Sequence, residues 1–157
     1  MARKKRSEKE LAAAADRLHA EVRRFTLLVN TLVAPPRPLP PVAVEAVHAA
    51  FLDLAAALSH FLHPVRPKAG DVLAADFFPT AARWNGLRLP QSDLLKGLRD
   101  GARTERITYG AAPPEPELDP RRVLEIANEI SAGVSIFLRH APAKALGERW
   151  RGVRRDD

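Results

Sequence analysis

Cysteine is absent from the 157 residues, which removes disulfide staples, thiolate zinc sites and cysteine nucleophiles at once. No uninterrupted apolar run approaches the roughly 18–20 residues of a membrane span. Met1-Ala-Arg-Lys-Lys-Arg leads into further charged residues rather than an apolar signal core, so a soluble, cytoplasmic protein with no membrane partner is expected. Phosphate loops, G-x-S-x-G elbows, HExxH helices and dinucleotide fingerprints are all missing, which excludes the common nucleotide-binding and hydrolase constellations. Period-2 alternation is scarce and no internal repeat is evident, so neither a sheet nor a solenoid is expected.

What is present is enough apolar material for a core, at 46% of residues, in a chain of single-domain length. The net charge of +6 is uneven. Residues 1–10 hold five basic against two acidic side chains, and 139–157 hold six against three, so the body between them is neutral. Terminal basic arms on a neutral body are a footprint for polyanion binding, or simply solvated ends.

The 14 prolines fall between periodic segments rather than inside them, and mark boundaries because proline lacks the N–H that a helix interior needs. Ser7-x-x-Glu10 has capping-box spacing. After it Leu11, Ala15, Leu18, Val22, Phe25, Val29 and Leu32 repeat at steps of four and three, the seam of a bundle helix or of a dimer-forming coiled coil. Residues 34–41 read as a stiff proline-rich connector. A second helix is expected over 42–63, with Val44, Val47, Phe51, Leu54, Leu58 and Phe61 on one side. Residues 64–91 read as irregular, pinned to the bundle by Phe77, Phe78 and Trp84. A third helix starts at Ser92-Asp93 and runs to Tyr109. The next starts at Asp119-Pro120 with Val123, Ala127, Ile130, Val134 and Phe137 on its seam, and a short terminal helix carries Leu146 and Trp150. The expected organisation is therefore a basic arm over 1–10, an all-α bundle of four to five helices over 11–140, and a short helix with a basic tail over 141–157.

Three groups of side chains could carry function. On the third helix Lys96, Arg99, Arg103 and Arg106 step by three and four residues, placing four cations along one side where guanidinium groups can clamp phosphates. The alternative is a solvated basic face paired with acids such as Glu125 and Glu129. Trp150 stands among Arg149, Arg151, Arg154 and Arg155, an indole that could stack a base while arginines hold phosphate, or else close the bundle beside Leu146. His60 and His63 sit three apart; as metal ligands they would need a third donor such as Asp53 or Asp76, and no metal site or cofactor is expected.

Phe61-Leu, Asp71-Val-Leu-Ala-Ala-Asp-Phe-Phe-Pro79, Trp84 and Leu98-Arg-Asp-Gly-Ala-Arg-Thr-Glu-Arg-Ile-Thr-Tyr109, in that order, resemble the HEPN superfamily over residues 42–140. The resemblance implies a helical bundle, often dimeric, and a setting in toxin–antitoxin or phage-defence systems, where many members are metal-independent RNases. It also implies an Arg followed after four to six residues by a His. None of the five histidines here, at 19, 48, 60, 63 and 140, has that spacing, and Arg106 stands where the His belongs. An arginine stays protonated and cannot act as a general base. The expectation is a non-catalytic binding or regulatory module for RNA or an RNA-bound protein, as a homodimer. The alternatives are a HEPN-type RNase with an altered site, using Arg99, Arg103 and Arg106 with His60 or His63, and a purely structural dimerisation protein.

Overall fold

The computed structural model describes the backbone of residues 6–101 and 119–150, and the side chains of all of these except 99–101. The protein is an all-α bundle, with no strand among the described residues.

Helix α1, Glu8–Val33, starts as its capping box requires. The Ser7 hydroxyl accepts from the Glu10 amide at 3.3 Å, and the Glu10 carboxylate accepts from the Ser7 amide at 2.7 Å. Its four-three seam is core: Leu11, Ala15, Leu18 and Phe25 are buried, while Val22, Val29 and Leu32 pack partly against them. Helix α2, Pro41–Leu62, begins directly on proline at its first position, where the missing N–H costs nothing. It returns alongside α1, and Phe25 stacks on Phe51 at 5.4 Å to set the level of the two helices.

By length and composition α2 is apolar enough to cross a membrane, although it contains no uninterrupted apolar run of that length. Only Glu45 and Asp53 are charged within it, and they hide its apolar character when runs alone are counted. One side of α2 is core in the bundle, through Phe51, Leu54, Ala55, Leu58, Ser59 and Leu62.

Residues 64–91 are more ordered than expected, with a 3₁₀ turn at Ala74–Phe77 and a helix α3 at Ala81–Leu87. The Asp76 carboxylate accepts from the Leu73 amide at 3.0 Å to start the turn, and the Thr80 hydroxyl caps α3. The segment is pinned by the expected aromatics. Phe77, Phe78 and Trp84 are buried, and Phe137 stands edge-on to Phe61, Phe77 and Trp84 with centroids 5.1, 5.0 and 6.0 Å apart. The Trp84 indole N–H donates to the Leu62 carbonyl at 3.0 Å, satisfying an acceptor in the last turn of α2, where carbonyls have no intrahelical donor.

Helix α4, Asp93–Gly101, starts with the Ser92 hydroxyl accepting from the Leu95 amide at 3.2 Å. Helix α5, Pro120–His140, is capped by Asp119, whose carboxylate accepts from the Arg122 amide at 2.8 Å. Gly133 lets α2 approach closely, because a Cβ there would lie 2.7 Å from a Leu62 methyl. A short α6, Ala143–Leu146, folds back on α1. Gly147 then turns the chain at a φ of 71°, the region glycine enters without steric cost.

Candidate functional site

Of the cationic row on the third helix, only Lys96 has a described side chain. Arg103, Arg106 and Arg151 lie outside the described residues, as does the side chain of Arg99. Lys96 is exposed and its ammonium hydrogen-bonds Asp93 at 2.8 Å, which holds the Asp93 carboxyl below its ordinary pKa. An exposed pair of this kind exchanges easily with solvent or a phosphate. Glu129, one of the acids that could pair with this basic face, accepts the Ser92 amide at 2.8 Å and fixes the start of α4 to α5; the side chains of Arg99, Arg103 and Arg106 that it could meet lie outside the described residues.

The terminal basic residues are partly structural. Arg6 donates to the carbonyls of Ala69 at 2.7 Å and Asp71 at 3.0 Å, tying the 64–73 loop to the start of α1. Lys144 pairs with Glu8 at 2.9 Å and Arg149 approaches Asp16 at 3.6 Å. The Lys144 pairing lowers the pKa of Glu8 and raises that of Lys144, through the hydrogen bond first and charge second. Trp150 corrects the stacking expectation: it is 3% exposed. Its indole N–H donates to the Ala15 carbonyl at 2.9 Å, and its ring meets His19 edge-on. So deeply buried, it closes the bundle and offers no platform for a base.

His60 and His63 have different tasks. His60 Nε2 lies 3.0 Å from the Asp71 carboxylate, which also accepts from the Lys68 amide at 2.8 Å. The Lys68 amide, then the His60 ring, hold the Asp71 carboxyl below its ordinary value of 3.8 against the opposing effect of burial. His63 caps the end of α2, with its backbone N–H on the Ser59 carbonyl at 2.7 Å. Ser59 faces inward and accepts from Gln91 at 2.9 Å, so Ser59 and His60 form no nucleophile–base pair. Among the described residues no three His, Asp or Glu side chains converge to hold a metal.

A feature that sequence patterns do not announce lies at the end of the bundle where α2, α3 and the approach to α4 meet. A hollow of about 410 Å³ is lined by His63, Pro64, Val65, Asn85, Arg88, Leu89, Pro90 and Gln91, with no carboxylate. Among these Val65 and Leu89 are exposed apolar side chains. Arg88 is the cation that lines the hollow; Arg66, next in sequence to Val65, and Arg83 of α3 are exposed cations of the same segment. Asp71 and Asp76, the carboxylates of this segment, are occupied by backbone amides. A signal exists in the composition: residues 64–91 hold four basic and two acidic residues, an excess concealed when the whole body is summed to zero.

The larger open feature is a groove along α1 and α2, with a volume of about 940 Å³. Small and apolar residues line it together with charges of both signs. No family model, curated protein or solved structure matches the chain.

Proposed function

We propose that this chain is a non-catalytic, HEPN-like binding module that holds single-stranded RNA, free or carried by a protein. The observation that carries the reading is the carboxylate-free hollow at 63–91. Arg88 can engage a phosphate, the Pro64, Val65, Leu89 and Pro90 side chains can take the flat of a base, and the Asn85 amide can meet a base edge. Helix α4 begins two residues beyond Gln91, and the exposed Lys96 in its first turn gives the backbone of a longer strand a further cationic contact.

The test is fluorescence anisotropy of a labelled single-stranded RNA titrated with the full chain over a salt series. The expected result is binding whose logarithm falls linearly with log salt, by about 0.7 for each phosphate neutralised, and weaker binding of a duplex. Absence of binding at low salt overturns the reading.

A second reading, an RNase with an altered site, draws on one observation: the His60–Asp71 pair at 3.0 Å is the arrangement in which a carboxylate orients a general base. Incubation with total RNA in the presence of a chelator separates the two. Cleavage that disappears in His60→Ala establishes the RNase and overturns the non-catalytic module; intact RNA at high protein concentration sinks the RNase.

A further inference from the structure

The α1–α2 groove calls for an occupant different from RNA. Three arginines, Arg6, Arg17 and Arg24, line it together with four carboxylates, Glu10, Glu21, Asp53 and Asp71. A surface of that balance repels a polyanion about as much as it attracts one. It does not repel its own copy. The groove also carries Ala13 and Ala14 from α1 and Ala50 and Ala57 from α2, and side chains this small let a further pair of helices approach closely. Two of the four, Ala13 and Ala57, are exposed. Nearer the hairpin tip, Leu28 and Val47 are partly exposed as well.

We infer that a second copy of this chain occupies the groove, so that the two α1–α2 hairpins form a four-helix bundle about a two-fold axis parallel to the helices. Three observations favour a second copy. First, the groove is lined from Glu10 to Arg24 along α1 and from Ala50 to Phe61 along α2, about 20 Å of helix on which a second hairpin can lie. Second, a two-fold axis in this direction sets each α1 against the partner's α2, antiparallel, so every helix has antiparallel neighbours and favourably opposed dipoles. Third, the charges match. The Phe25–Phe51 stack at 5.4 Å places the two helices in register, so Arg24 and Asp53 stand at nearly the same level on opposite walls. Both are exposed, and among the described ion pairs they make none with each other. The two-fold turns Arg24 toward the Asp53 of the second copy, and Asp53 toward its Arg24. This interface does not depend on the RNA reading and lies on different residues.

Sedimentation equilibrium of the full chain tests the inference, with circular dichroism as the check that each variant is folded. The native chain is expected to be a concentration-dependent dimer. Arg24→Glu and Asp53→Arg each place two like-charge pairs in the interface and should each raise the dissociation constant about tenfold or more. The double variant restores both pairs with their signs exchanged and should return the constant to near the native value. A chain that stays monomeric up to about 0.1 mM overturns the inference and leaves the groove to a helix of another protein. A dimer indifferent to the single charge changes, or one that the double change fails to restore, overturns it too.

Discussion

Replacing each tryptophan by phenylalanine separates two kinds of buried hydrogen bond that look alike in the folded chain. Both indoles are buried, Trp84 at 0% and Trp150 at 3% exposure, and both donate to a main-chain oxygen, at 3.0 Å and 2.9 Å. The acceptors differ. The Ala15 carbonyl is inside α1, where the amide four residues on already donates to it. The Leu62 carbonyl is at the end of α2, where no helical amide follows. Trp84→Phe therefore removes the donor from a buried acceptor, which costs about 1–3 kcal/mol, and adds a void costing about 1–2 kcal/mol more. Trp150→Phe leaves a void of the same kind and an acceptor that is still satisfied, for a total of about 1–2 kcal/mol. Equilibrium urea unfolding followed by circular dichroism should show Trp84→Phe to be the more destabilising by about 1–3 kcal/mol. Equal losses, or a larger loss for Trp150→Phe, would refute the claim that Trp84 acts as the C-terminal cap of α2.

Ser7→Ala removes the hydroxyl half of the capping box and should lower stability by about 1 kcal/mol, measured as a fall in the urea midpoint; Ser7→Asp should keep most of it. Asp71 has a depressed folded-state pKa. Its stabilising contribution is therefore present above the ordinary carboxylate value of 3.8 and is lost as pH falls through the lower folded value. Urea midpoints measured against pH should show Asp71→Asn to be less stable than the native chain at neutral pH and to converge with it in acid. A constant gap across the whole range would contradict the assignment.

The helices are legible in the sequence where local chemistry decides them. Ser7 and Glu10 mark the start of α1, Asp119 and Pro120 mark that of α5, and the four-three steps identify the faces these helices bury. Helix α3 is hidden because it is only seven residues long and has too few turns to show a period. The candidate site is less legible, because the partners of its charges are distant along the chain. Arg6 reaches carbonyls 63 and 65 residues away, and Trp150 reaches an oxygen 135 residues back. Nothing at either end of those hydrogen bonds distinguishes a structural cation or indole from a free one. The exposed alanines of α2 are hidden for a related reason: Ala55 is core and Ala57 is exposed, yet helix propensity and apolarity rank them the same.

The binding role is tested most directly by comparing the native chain with one in which Arg66, Arg83 and Arg88 are changed together to glutamine. Binding of labelled single-stranded RNA is measured by anisotropy across a salt series, with urea unfolding to establish that the fold is intact. Arg66 and Arg83 are exposed and Arg88 is half-buried, so stability should change little. Weaker binding is expected, with a salt slope shallower by about 0.7 for each phosphate the variant no longer neutralises. Unchanged affinity and slope in a folded variant would contradict the assignment of RNA to this hollow.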